Sequence, residues 1–342
     1  MRVLHVLSTN RMSGAENVAA DICMMFDGEI EMAYCSPRGS IENDLNDRKV
    51  KYLPIEKLTY SELKKVVKQY KPDVIHAHDV RASIWASLFY RKSRIISHIH
   101  GNSYGMRKVS FKSVLYALFS FFFDKVLVVS ESCYNDYIFK NLISSKYIYL
   151  RNIIYPKRIE LLKENDKNRY DVDFVYIGRI AYPKNPKRVA TVASLVLEKL
   201  PDIKFGIIGD GDLKHEMVDV FRSANLLDRV EFYGWLKYPY KALESAKCVL
   251  MCSLYEGLPI SVIEAFALGV PIVSTPVDGL VSIVRNGHNG LLSNNDEELA
   301  NFAIKLISNE KLYSNISNNC KESFYNINSV DNYKRQLIEI YR

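Results

Sequence analysis

The sequence predicts an α/β protein made of two doubly wound domains, and three observations carry that expectation. Its 342 residues exceed one ordinary domain and suit two units of about 150 residues each. Short β-branched runs alternate with helix-like segments along the chain, as in parallel sheets built from β-α-β units. A polar, charge-rich stretch, PKRIELLKENDKNRYDVD at 156–173, interrupts the alternation, which then restarts. The expected organisation is an N-terminal Rossmann-like domain over 1–156, a C-terminal one over 170–325, and a helix over 326–342 packing back toward the first. Two such domains are expected to face each other across a cleft.

In the first half the strand candidates are RVLHVLS, EMAYCS, KYLPI, DVIHAHD, RIISHIH, KVLVVS and YIYL, with helical patterns at 15–25, 61–70 and 82–90. In the second half they are FVYIGR, KFGIIGD, VEFYGW, CVLMCS, PIVST and GLLS, alternating with helices to about residue 308, and two further helical patterns close the chain.

Composition narrows the class. With 48% hydrophobic and 25% charged residues the chain reads as globular, neither disordered nor fibrous. The net charge of +7 is dispersed, which suits phosphorylated ligands or an anionic surface and argues against a nucleic-acid partner. Six cysteines without a C-x-x-C read as reduced core residues of a cytoplasmic protein. The opening MRVLHVLST reads as a strand and lacks the features of an export signal. The run VLYALFSFFF at 114–123 is too short to span a bilayer.

Open parallel sheets bind ligands beyond the carboxyl ends of their strands, so the residues found there carry the functional reading. Ser13 and Gly14 open a helix whose free amides can accept a diphosphate, although an ordinary β-α turn uses glycine as well. No G-x-G-x-x-G follows the first strand, which argues against a nicotinamide or flavin cofactor. In YIGRIAYPKNP, Gly178 and Arg179 end a strand and Lys184 follows; two cations there would stabilise a departing nucleoside diphosphate, or simply be solvated. In IIGDGDLK, Gly209 and Gly211 form a tight turn where a ligand can approach the backbone. Asp210, Asp212 and the Asp171-x-Asp173 pair give no convincing metal site, the last because it enters its strand at the amino end. No metal is expected.

MCSLYEGLPISVIEAFALG, residues 251–269, places Glu256 in a strand-end loop and Glu264 about one turn into a helix whose buried face is Val262, Ile263, Ala265 and Phe266. A carboxylate near a helix amino end is stabilised as an anion and can bind the vicinal hydroxyls of a ribose. Glu256 can hold hydroxyls of a sugar. Surface charge is the other reading, and the apolar neighbours make it uncomfortable for Glu264.

These residues resemble the retaining GT-B glycosyltransferases of family 4, the "glycosyl transferases group 1" type, through the Glu-x7-Glu signature in YEGLPISVIEAFALGVPIVST. SGAE, HIHG, VVSES, IGRIAYPKNP, IGDGDLK, FYGW and NGHNGLL occur in the order that family uses, so the resemblance covers nearly the whole chain. It implies that Glu264 binds the donor ribose and Glu256 the transferred sugar, that Arg179 and Lys184 hold the diphosphate opposite the Gly14 amides, and that His100 reaches the sugar ring. It also places backbone near Leu236 at the base, and Gly257, Leu258, Pro259 and Ile260 near phosphate or sugar. Ser13 stands where many members have a second glycine, Asn152 lacks the glycine that often follows it, and Gly279 lacks its usual second glycine or Pro-Glu.

The implied reaction moves a hexose or N-acetylhexosamine from a nucleoside diphosphate sugar, a UDP-sugar favoured, to a hydroxyl of a growing lipid-linked bacterial surface polysaccharide. It needs no cofactor and no essential metal. An epimerase or hydrolase, or a non-catalytic sugar-nucleotide-binding protein on the same fold, is the alternative. The stretch GMRKVSFKSVLYALFSFFF at 105–123 mixes Arg107, Lys108 and Lys112 with aromatics. It reads either as a peripheral contact with the anionic inner face of the plasma membrane or as a core helix with a basic start.

Overall fold

A computed structural model describes residues 1–342 except 102, 257 and 258, and at 278 it describes the backbone only. The chain forms two compact units, residues 1–155 with 329–342, and residues 156–328.

The first unit carries a parallel sheet of β1 (Arg2–Val6), β2 (Glu31–Cys35), β3 (Val74–Ala77), β4 (Arg94–Ile99), β5 (Lys125–Val128) and β6 (Tyr147–Tyr149) in the order β2-β1-β3-β4-β5-β6. The connecting helices are α1 (Gly14–Met25), α2 (Ile41–Asp47), α3 (Tyr60–Tyr70), α4 (Val80–Ser87), α5 (Phe111–Phe119) and α6 (Glu131–Asn135). Every residue of β3 is buried, as expected of a central strand covered on both faces. The segment KYLPI is not a strand. It makes only isolated bridges, Tyr34 to Tyr52 and Pro37 to Ile55, because Pro54 has no N–H to donate to a ladder.

The second unit repeats the plan. Its strands are β7 (Phe174–Ile177), β8 (Phe205–Ile208), β9 (Val230–Gly234), β10 (Cys248–Met251), β11 (Ile272–Ser274) and β12 (Gly290–Leu292), ordered β12-β11-β10-β7-β8-β9 and all parallel. Its helices are α7 (Pro156–Asn165), α8 (Pro186–Lys199), α9 (Lys214–Ser223), α10 (Tyr240–Ser245), α11 (Ile260–Leu268), α12 (Asp278–Val281), α13 (Asp296–Ser308) and α14 (Glu310–Ile327). The polar stretch read as a boundary therefore contains a helix: α7 buries Arg158, Ile159 and Leu162, which fall on one face at helical spacing. The last helix, α15 (Val330–Tyr341), returns to the first unit, where the Tyr341 hydroxyl and His76 Nδ1 lie 2.8 Å apart.

In the stretch read two ways, α5 begins on a Ser110 capping box and buries Ser113, Tyr116 and Ala117. Phe111, at 82%, and Phe121, at 65%, stand exposed with Tyr104, Val109 and Leu118. This is an amphipathic element with an apolar outer face, not a buried core helix. No helix among the described residues is long and apolar enough to cross a membrane. All six cysteines are buried and free.

Candidate active site

In each sheet the strand order reverses beside the unit's first strand, at the β1/β3 and β7/β10 pairs, and the loops that diverge there leave a natural binding crevice. In the second unit this is where the expected cation and carboxylate meet. Lys184 ends a 3-10 turn (Tyr182–Lys184) that follows β7, and Asn185 at φ 51° closes it before α8. The Leu254 N–H donates to Pro183 O at 2.9 Å, tying the loop after β10 to that turn. Glu256 is thereby set against Lys184, and its Oε1 takes both the Lys184 ammonium and the Ser253 hydroxyl, the latter at 2.7 Å. Arg179 is exposed at the end of β7, and its side chain makes no ion pair among the described residues. Pro259 is the N-cap of α11 and Ile260 its first residue. Gly257 and Leu258 lie outside the described residues.

Glu264 sits in the middle of α11 and is almost fully buried. Its charge is met chiefly by a side chain, not by the helix end: the Arg158 guanidinium donates to Oε1 at 2.7 Å and the Tyr240 hydroxyl to the same oxygen at 3.0 Å. With one oxygen doubly engaged, the carboxylate is held in a fixed orientation, as recognition of a diol requires. Arg158, completely buried on α7, is the residue that the sequence reading missed. Its only signal was its place beside Ile159 and Leu162 in RIELL, where a solvated arginine is not expected.

The glycines of the second unit have reasons within the chain itself. Gly209 adopts φ +138°, and a Cβ there would lie 1.9 Å from Gly178 O. At Gly211 a Cβ would lie 2.2 Å from Ile180 O, so the absent side chain admits the neighbouring backbone before any ligand. Gly178, at φ +150°, and Gly209 thus pack the loops after β7 and β8 together, and Gly209 N–H reaches Gly234 O at 2.7 Å at the end of β9. Leu236 follows β9 in the same run of strand ends and is half-buried. Asp171 pairs with Lys204 at 2.9 Å, and Asp210 Oδ1 accepts from Gly211 N at 2.9 Å in a local turn.

In the first unit, Ser13 is the N-cap of α1 but its hydroxyl makes no cap bond. It donates to Glu16, as does Thr9, so a buried carboxylate already occupies the first turn of the helix. A Cβ on Gly14 would meet nothing within 4 Å, so the backbone there is open. His100 follows β4, with Nε2 3.0 Å from His78 Nδ1. Burial pushes its pKa down to about 3, opposed by a hydrogen bond with Asn152, and the ring is therefore neutral near pH 7.

Two family models match in tandem: Glycosyltransferase Family 4 over residues 12–158 and Glycosyl transferases group 1 over residues 157–323. The chain belongs to glycosyltransferase family 4. Over 305 residues this glycosyltransferase is 24% identical to the Escherichia coli UDP-Gal:alpha-D-GlcNAc-diphosphoundecaprenol alpha-1,3-galactosyltransferase, covering 81% of this chain and 78% of that one. Over 194 residues it is 30% identical to the Campylobacter jejuni GalNAc-alpha-(1->4)-GalNAc-alpha-(1->3)-diNAcBac-PP-undecaprenol alpha-1,4-N-acetyl-D-galactosaminyltransferase, 52% of this chain and 53% of that one. Among solved structures, Anabaena HepE in complex with UDP-glucose matches with a TM-score of 0.83 at 18% identity, over 99% of each chain. The enzyme thus has the GT-B architecture of two Rossmann-like domains, as its sequence predicts. Within its second unit the glycosyltransferase joins Lys184 to Glu256 and Arg158 to Glu264, two ion pairs on the loop and helix that follow β10.

Proposed function

We propose that this glycosyltransferase moves a hexose or N-acetylhexosamine, with retention at the anomeric carbon, from a UDP-sugar to a hydroxyl of a lipid-linked saccharide in surface-polysaccharide assembly. The observation that carries the reading is the Lys184–Glu256 pair at the β7/β10 switch point, with the buried and oriented Glu264 on the helix that follows. The names of the Escherichia coli and Campylobacter relatives, both acting on undecaprenyl diphosphate saccharides, support the acceptor class. The UDP-glucose held by HepE supports the donor class.

In this mechanism Glu264 takes the ribose hydroxyls while Arg158 and Tyr240 hold it in place. Lys184 and Arg179 stabilise the charge that grows on the leaving diphosphate, as preorganised cations do best where water is scarce. In the free chain Lys184 is neutralised by Glu256, so donor binding shares that ammonium between carboxylate and phosphate, and Glu256 is left to accept from sugar hydroxyls. His100, neutral, serves the sugar ring as donor or acceptor. No carboxylate acts as nucleophile; the departing phosphate oxygen takes the acceptor proton, and the cations replace an essential metal. Gly14 amides contribute on the phosphate side. The exposed face at Tyr104, Val109, Phe111, Leu118 and Phe121, with the Lys108 ammonium 4.3 Å over the Tyr104 ring, rests on an anionic bilayer and brings the lipid-linked acceptor near.

The test is UDP and GDP release from a panel of nucleotide sugars, with and without a bacterial lipid extract. Acceptor-dependent release from one UDP-sugar, with an α-linked product by NMR, is expected. Release that needs no acceptor, or an epimerised donor, would replace this reading with a hydrolase or an epimerase.

A further inference from the structure

His5, His76, His78, His98 and His100 lie on three adjacent strands or just beyond their ends, and they form one imidazole cluster inside the first unit. The sheet register explains it. His5 pairs with His76 across β1 and β3, and the β3/β4 register, Ala77 with Ser97, carries on to set His78 beside His98. The two-residue period then holds each His-x-His pair on the same face.

Two strings of nitrogens run through the cluster. In one, His100 Nε2 is 3.0 Å from His78 Nδ1, and His78 Nε2 is 2.8 Å from His5 Nδ1. In the other, His98 Nδ1 is 3.2 Å from His76 Nε2, and His76 Nδ1 is 2.8 Å from the Tyr341 hydroxyl. When every N–H points inward, His78 donates to His5, His98 to His76, and His76 to Tyr341. The opposite nitrogens, His78 Nδ1 and His98 Nε2, then carry lone pairs, the first turned toward His100 Nε2 and the second bare. Among the described residues His98 Nε2 is buried without a partner, an unusual cost in a folded interior. His78, His98 and His100 each offer a ring nitrogen, and the three lie within 4.8 Å of one another. Four-coordinate Zn–N bonds of about 2.0–2.1 Å bring nitrogens to about 3.3 Å apart, within reach by small ring rotations.

We propose that His78, His98 and His100 are the three protein ligands of a site for a borderline divalent transition ion, for which Zn2+ and Co2+ are the probes. Three neutral imidazoles suit such ions and not Mg2+ or Ca2+, which demand oxygen. His5 and His76 are the outer-shell partners that fix the tautomers of His78 and His98, as ligating histidines require. His100 is the half-exposed member, through which an ion enters. The site stands on the geometry of the first unit alone, whether or not His100 serves a donor sugar.

The experiment titrates tag-free, full-length protein with Co2+ and reads the visible d–d bands of a four-coordinate ion, with bound Zn2+ counted by mass spectrometry after dialysis. One ion per chain is expected, retained by the double variant H215Q/H288Q, which removes the histidines outside the cluster. H98F should weaken Co2+ by about 100-fold and H76F, in the outer shell, by about tenfold. Absence of saturable binding, six-coordinate bands, or equal binding by folded H98F would overturn the assignment. If H98F does not fold, spin-echo spectroscopy of Cu2+ on the wild-type chain decides: three equatorial imidazoles support the site, and fewer than three overturn it.

Discussion

Replacing Arg158 with Met removes the cation that holds Glu264 and keeps most of the volume. The two groups meet at 2.7 Å with side-chain exposures of 0% and 9%, so the remaining carboxylate cannot simply resolvate. Unit charges about 4 Å apart interact by about 4 kcal/mol at an effective dielectric near 20. Removing one partner of such a buried pair costs about 3–5 kcal/mol. The Tyr240 hydroxyl stays on Glu264 and favours the low end, while Arg158 has further interactions that push upward. A loss of about 3 kcal/mol, or about 100-fold in the folding constant, is expected for the second unit. Trp85 and Trp235 are the only tryptophans, one in each unit, so urea unfolding of a W85F background reports on the second unit alone. R158M/E264L, which removes the stranded charge as well, should recover much of the loss. A loss below about 1 kcal/mol for R158M, or a double variant worse than the sum of its singles, would refute the reasoning.

Lys184→Ala should lower kcat by about 100-fold or more in a UDP-release assay, the usual cost of removing one preorganised donor from a developing anion. Gly209→Ala, whose Cβ would sit 1.9 Å from Gly178 O, should abolish soluble second unit, whereas Gly14→Ala should change the melting temperature little and raise the donor KM if its amide meets the phosphate. Paired urea melts and donor titrations separate the two glycines. Phe111→Asp and Phe121→Asp should each reduce sedimentation with phosphatidylglycerol vesicles by about tenfold or more, the worth of burying one aromatic ring, and leave turnover on a soluble acceptor unchanged. Equal vesicle binding by both variants would remove the membrane role from this face.

The sheet strands were legible because buried parallel strands are short apolar runs, and Phe174–Ile177 or Cys248–Met251 admit few other readings. KYLPI misled because its apolar content is right while Pro54 removes a ladder donor. At the site, Glu256 and Glu264 were legible from spacing and from their apolar setting. Arg158 was not, because it lies 106 residues from its partner in a segment whose composition is that of a linker. Long-range charge pairing leaves no periodic mark on a sequence. The histidine cluster was half legible: HAH and HIH each declare a shared face, but only the strand order β1-β3-β4 shows that these faces adjoin.

The helix at 330–341 completes the first unit, and Tyr341 is buried in it. A ribosome must therefore make the whole of residues 156–328 before that piece emerges, a delay of about ten seconds or more at ordinary elongation rates. During that interval the string through His98 and His76 lacks its terminal phenol, and the nascent first unit waits with an open seam.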